Sequence, residues 1–189
     1  MNKEKSISLA LLISISVLGY PQDFKVDASK STLKWNAKKV NGEHYGSILL
    51  KEGSFVVKDD RIVNGNFVVD METISCEDIK SEEWNKKLVD HLGSDDFFGV
   101  SSFKISLLSN LKSTQFKDGR AAATAELTIK GQTYPIKFDV YRDNNTYKTK
   151  ITVDRTLYNI RYGSGKFFDN LGDNIISDEF TLDVAITVK

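Results

Sequence analysis

The chain has 189 residues, 40% of them apolar and 28% charged, and carries no net charge. This size suits one domain, and the composition excludes disordered and collagen-like classes. A basic surplus that would mark a nucleic-acid binder is missing, and the single cysteine, Cys76, excludes an internal disulfide and a thiol-rich zinc site.

Residues 1–19 read as a secretory signal. Lys3 and Lys5 give a basic start, an apolar run extends from Ile7 to Leu18, and Gly19 supplies a small residue before Tyr20. The run falls short of the ~20 apolar residues that span a bilayer. The expectation is therefore a mature chain of residues 20–189, periplasmic or secreted, with no stable membrane span after cleavage.

Past that point the dominant pattern is alternation, the mark of half-buried strands. Leu33, Trp35 and Ala37 share one face, as do Phe67, Val69 and Met71. The segment 79–92 breaks the period: Trp84, Leu88 and His91/Leu92 fall at helical spacing. Asp78 or Ser81 could cap its start, and Gly93 could end it in a left-handed conformation. Alternation then resumes. Phe103, Ile105 and Leu107 are read as one face, followed by Ala121 to Ile129, then Ile136, Phe138 and Val140. Tyr147, Thr149, Ile151 and Val153 follow, then Leu182, Val184, Ile186 and Val188. Turn chemistry separates these runs at Asn41-Gly42, Asp59-Asp60, Asn64-Gly65, Asp118-Gly119, Lys130-Gly131 and Asp143-Asn144-Asn145. Pro135 is read as the beginning of a strand.

About eight strands with one apolar face and a single helix predict an all-β fold. Closing the sheet hides that face and removes its edges, giving an extended eight-stranded antiparallel barrel, lipocalin-like, with one short helix. A barrel of this size either fills with side chains or holds one ligand, and alternation alone does not distinguish lining from filling.

Several blocks in one order resemble a known family. They are Val40-Asn41-Gly42-Glu43-His44-Tyr45-Gly46, Gly65-Asn66-Phe67-Val68-Val69-Asp70-Met71, Leu88-Val89-Asp90-His91-Leu92-Gly93-Ser94-Asp95-Asp96-Phe97-Phe98, Ala125-Glu126-Leu127-Thr128-Ile129-Lys130-Gly131, and the stretch from Asp154-Arg155 through Arg161-Tyr162-Gly163-Ser164-Gly165. Together they resemble the YceI-like family of polyisoprenoid-binding proteins over residues 24–188. The resemblance implies a barrel pore that holds an isoprenoid lipid, such as a quinone or a polyprenyl phosphate, in the periplasm or outside the cell, with no catalytic residues. Two positions depart from the family pattern: Gly99, where Asp usually follows the Phe-Phe pair, and Ser102, where proline is common.

The candidate ligand contacts, in the pore or at its rim, are Trp35, His44, Phe55, Phe67, Leu88, Phe97, Phe98, Phe103, Ala123, Ala125, Phe138, Arg155, Tyr158 and Arg161. The aromatics supply apolar wall, and the in-register alanines leave space. Arg suits a phosphate, although an ion pair of Arg155 with a carboxylate such as Asp70 is the commoner use. His44 could meet a quinone carbonyl or simply bond the backbone. His91 beside Asp90, Asp95 and Asp96 reads as a structural pair rather than a catalytic one. No catalytic residue, metal site or cofactor is expected. The partner is a long apolar lipid, and pairing of two copies into a homodimer stays open. Two rival readings remain: an enzyme acting on an apolar substrate through His91/Asp95 or His44, and a ligand-free interaction module with a filled barrel.

Overall fold

The computed structural model describes residues 20–189, so the expected signal segment lies outside the described residues. The elements run β1 (Gln22–Lys25), β2 (Thr32–Lys39), β3 (Gly42–Lys58), β4 (Arg61–Asp70), α1 (Glu82–Gly93), β5 (Ile105–Ser113), β6 (Arg120–Ile129), β7 (Gln132–Asp143), β8 (Thr146–Asp154) and β9 (Ile176–Thr187). All strand pairs are antiparallel, in the order β3-β2-β9-β8-β7-β6-β5-β4, and β4 returns to β3 to close the ring. The fold is the expected closed eight-stranded barrel.

A ninth strand does not widen it. β1 pairs with the second half of β3, from Ser54 to Val57, while β2 pairs with the first half, from Gly42 to Ile48. A 3-10 turn at Ala28–Lys30 interrupts the chain between them. β1 and β2 thus share one position in the wall.

The two ends differ. At the upper end the strands turn tightly, at Asp59-Asp60, Asp118-Gly119 and Asn144-Asn145. At the lower end lie two tight turns, at Val40-Asn41 and Lys130-Gly131. Two long connections join them there: residues 71–104, which carry α1, and residues 155–175. Lys130 and Gly131 have φ of 49° and 73°, the paired left-handed conformation of a two-residue hairpin turn.

One face read from alternation is corrected, and so are details of the helix. In β5, Ser106 and Leu108 stand opposite the inward Val69 and Phe67, so the inward register runs through them rather than through Ile105 and Leu107. Asn110, with φ of 55°, then introduces a bulge that brings Leu111 inside. Phe103 precedes the strand altogether. The helix begins at Glu82, where Ser81 Oγ accepts from the Trp84 N–H. Gly93 is its last residue and is not left-handed; instead the Ser94 N–H closes the end on the His91 carbonyl. Trp84 points to solvent rather than inward.

The two departures from the resembled pattern lie in one turn. Gly99 has φ of +57°, a conformation that disfavours a side chain. Its carbonyl accepts the Ser102 N–H at 3.0 Å, a bond proline could not make.

One glycine is fixed by close approach. Trp35 faces Gly46 across β2 and β3, and its indole N–H passes over the glycine to the Ser75 carbonyl at 2.9 Å. The segment after β4 continues along the first half of β3: Ser75 N–H donates to Ser47 O and Glu77 N–H to Tyr45 O, each at 2.9 Å. A methyl at Gly46 would collide with the Ser75 carbonyl oxygen. Gly46→Ala is expected to cost about 2–4 kcal/mol, combining overpacking with a strained Trp35 bond. Denaturant unfolding of the variant measures this, and a loss below about 0.5 kcal/mol would remove the close-approach argument.

Candidate functional site: the barrel interior

The inward side chains do not fill the barrel. Two apolar cavities of about 100 and 110 Å³ follow one another along its interior. The upper one is walled by residues such as Leu50, Phe55, Phe67, Leu111, Val140 and Ile186. The lower one is walled by Trp35, Ile48, Met71, Phe97, Phe98 and Phe180, among others. Leu33, Val69, Ser106, Leu127 and Leu182 line both and form a waist between them. Along β9 the walls extend from Ile176 to Ile186, about 33 Å of strand at the usual rise. Such a shape suits a linear tail better than a compact ring.

Polar groups in these walls are few. Ser106 Oγ donates to Met71 Sδ at 3.1 Å. Thr149 Oγ1 is buried beside the upper cavity without a hydrogen-bond partner. Arg155 is the one charged residue in either wall, in the lower cavity. Its guanidinium donates to Ser177 O at 2.8 Å, Ile160 O at 2.9 Å and Ile176 O at 3.0 Å. Its nearest carboxylate is Asp178, at 3.8 Å, not Asp70. Lys166 in turn reaches both Asp154 (3.1 Å) and Asp178 (3.4 Å). Burial lowers the Arg155 pKa, and the charges of Asp178 and Asp154 oppose that shift; the group stays protonated. Arg155 thus ties the start of the long lower connection to the start of β9, and guanidinium N–H groups remain beyond the three carbonyl bonds.

The upper end is closed by aromatics. Phe24 stacks on Phe55 at 5.2 Å, and Tyr147 meets Phe55 edge-on at 4.8 Å and Phe116 at 6.1 Å. Arg142 sits over the Phe116 ring at 4.5 Å and pairs with Asp60 at 2.7 Å, joining two turns.

The fourteen candidate contacts separate into three groups. Phe55, Phe67 and Phe138 line the upper cavity, while Trp35, Phe97, Phe98 and Arg155 line the lower one. Ala123 and Ala125 are buried in the wall without lining either cavity, and Leu88 packs on the lower cluster from α1. Tyr158 is buried against Tyr134, ring centroids 5.4 Å apart; its hydroxyl has no partner, and burial pushes its pKa up to about 12. The other three stand apart from the cavities. His44 Nδ1 is 2.8 Å from Asp78 on the crossing segment. Phe103 lies against Gly99 and Gly131. Arg161 is at the surface over Phe167, at 4.6 Å.

The remaining titratable groups serve the frame. Burial raises the Asp78 pKa, but the Tyr45 N–H, His44 and the Cys76 thiol outweigh it, and the net shift is downward. Burial raises the Cys76 thiol pKa, as expected for an inert side chain. His91 Nε2 is 3.9 Å from Asp96, and the ring is held edge-on between Phe97 and Tyr162. Neither histidine lines a cavity. Sequence reading missed Met71, Ile160 and Phe180 as lining, and Phe116 as closure. Met71 was signalled by its alternation with Phe67 and Val69, but Ile160 and Phe180 lie outside any run read as a strand.

The family model of the YceI-like domain matches residues 24–188, nearly all of this barrel. The chain belongs to the YceI family. Among solved structures, this YceI-family chain is similar to BcnA of Burkholderia cenocepacia, with 17% identity over 87% of this chain and 99% of that one, and a TM-score of 0.61. It is also similar to a polyisoprenoid-binding domain from Saccharophagus degradans, with 12% identity over 88% and 97% of the two chains and a TM-score of 0.55. At these identities the likeness concerns the fold. No curated protein matches the chain.

Proposed function

We propose that this YceI-family protein binds a long-chain isoprenoid lipid in its barrel, without catalysis, to carry it or to shield it from water. The observation that carries this reading is the pair of apolar cavities meeting at a waist, with one charged side chain at the lower end. The family and the named polyisoprenoid-binding neighbour support the ligand class. Each buried methylene contributes about 0.8 kcal/mol, so the tail sets affinity. The head group, a quinone carbonyl or a polyprenyl phosphate, sits at the lower end, where Arg155 offers its remaining N–H groups. Residues 1–19 deliver the chain to the periplasm or the exterior. Among the described residues no helix is long and apolar enough to cross a membrane.

An enzyme would need an acid–base pair facing the substrate, and the two histidines point elsewhere. A filled interaction module would lack the cavities. Native mass spectrometry of protein gently extracted from its own host is expected to show a co-purified lipid mass, identified as an isoprenoid after solvent extraction. A uniformly ligand-free mass would remove the carrier reading.

A further inference from the structure

The seam between β7 and β8 is the weak point of the wall. Their register holds only at Tyr141–Lys148, Arg142–Tyr147 and Asp143–Thr146, beside the Asn144-Asn145 turn. Below it, β7 stays paired to β6 along its whole length, and β8 stays paired to β9. The two edges that face each other carry no ladder.

Backbone geometry identifies the groups left over. The Arg142 N–H donates to Gly119 O on the β6 side, at 2.7 Å. Alternation along the strand then directs the amides of Thr133, Lys137, Asp139 and Tyr141 toward β8. Position 135 faces the same way, which is why proline is tolerated there: it stands three residues inside the strand, not at its beginning, and its missing N–H would have pointed into the open seam. The seam between β4 and β5 also pairs over a short stretch, but it is bridged above by Ile62 N–H to Ser113 Oγ at 2.9 Å and Phe116 N–H to Asp60 O at 2.8 Å. Among the described residues no hydrogen bond crosses the β7–β8 seam below Tyr141–Lys148. Its lower limit is the Tyr134–Tyr158 contact, so the slot runs about 17 Å along β7.

The slot lies against the cavity. Phe138 and Val140 on one side, and Thr149 and Ile151 on the other, all line the upper chamber. Ile136 and Phe138 are only half-buried, although their β6 partners Ala125 and Ala123 are buried. The unpartnered hydroxyl of Thr149 lies on the same border. The upper axial end, by contrast, is covered by the Phe24, Phe55, Phe116 and Tyr147 cluster, and the lower chamber beyond the waist is lined by Trp35, Phe97, Phe98 and the Arg155 tether.

We infer that the slot between β7 and β8 is a lateral portal, through which the apolar tail enters and leaves with Phe138 as its gate. The inference rests on the lipid-binding reading and adds the route. Lys137, Asp139, Lys150 and Thr152 flank the slot on the outer face; charged edges of this kind also resist pairing with another chain.

The test staples the slot shut. In a Cys76→Ser background, Asp139→Cys and Lys150→Cys place two thiols at the second register position past the last pair, the first that faces outward. The probe is a fluorescent C18 polyene fatty acid, followed by stopped flow. Oxidation is expected to slow association and release at least tenfold, with reductant restoring both. In a separate variant, Phe138→Ala is expected to speed association and release at least tenfold. Stapled protein that exchanges probe at the reduced rate, or a Phe138→Ala protein with unchanged rates, overturns the portal. Stapling that abolishes self-association in sedimentation while leaving probe rates alone also overturns it, and assigns the edges to pairing between copies. Failure of the wild-type protein to bind the probe at all counts against the lipid-binding reading instead.

Discussion

A Val69→Trp substitution is expected to weaken binding of a C20 isoprenoid tail on the order of 100-fold while leaving a C8–C10 tail bound within about threefold. Val69 lies on the waist and lines both cavities. An indole there closes the passage without touching the far end of either chamber. A long tail must cross the waist to bury its full length, whereas a short one fits in a single chamber. Losing four buried methylenes costs about 3 kcal/mol, which is about two orders of magnitude in Kd. The substitution also overpacks the core, at about 1–3 kcal/mol of stability, so unfolding of the variant is measured alongside. Titration of a length series of isoprenoid alcohols reads the effect. Equal weakening at every chain length would mean that the two chambers do not hold one continuous tail.

Replacing Arg155 with alanine is expected to destabilise the fold by about 3–5 kcal/mol. The guanidinium satisfies three main-chain carbonyls, those of Ile160, Ile176 and Ser177, and the Ile160 residue is fully buried. Removing the donor leaves these oxygens unpaired, and an orphaned buried acceptor carries most of the cost. It also leaves Asp178 and Asp154 with Lys166 as their remaining cationic neighbour. For a domain of this size the loss corresponds to roughly 10–15 °C in melting temperature. Arg155→Lys restores the charge but cannot reach three carbonyls in a planar fork, so it should recover less than half of the loss. A lysine variant as stable as the wild type would show that charge, not the fork, holds the segment. An alanine variant that loses less than 1 kcal/mol would show that the carbonyls find water.

The two experiments address different claims. Arg155 belongs first to the frame, because it fastens the 155–175 connection under the lower chamber. A contribution to the head group is separable by comparing tails with and without a phosphate in the lysine variant. Val69 lies at the passage and packs against the core around it. The stapled slot concerns rates, while the waist concerns equilibrium affinity, so each can fail without the others.

Alternation was readable wherever the ladder is regular. β2 from Leu33 to Ala37, β6 from Ala121 to Ile129, β8 from Tyr147 to Val153 and β9 from Leu182 to Ile186 have uninterrupted inward faces, and a period of two fixes which side faces the core. β3 was not readable, although it is the longest strand. Its inward set runs Gly46, Ile48, Leu50 and then, after an irregularity between Leu50 and Glu52, Phe55 and Val57. The phase shifts by one residue and a glycine occupies an inward position, so no single face emerges. β5 misled for a different reason: its inward face includes a serine, Ser106, while the apolar Ile105 and Leu107 beside it alternate to the other side.

The amino-acid order thus determined the class of fold, the approximate positions of most strands, and the helix with Asp78 and Ser81 as its two cap candidates, because these depend on near neighbours in the chain. The family likeness was legible too, in short blocks spread over the barrel. Only the closed structure decided that the interior is hollow, that it narrows at Val69 and Leu127, that Arg155 is a tether among carbonyls, and that the wall parts between β7 and β8. Each of these depends on distances between residues far apart in sequence. Side-chain volume from one strand is set against space left by another, and a hydrogen-bond ladder forms or fails according to how the whole sheet closes.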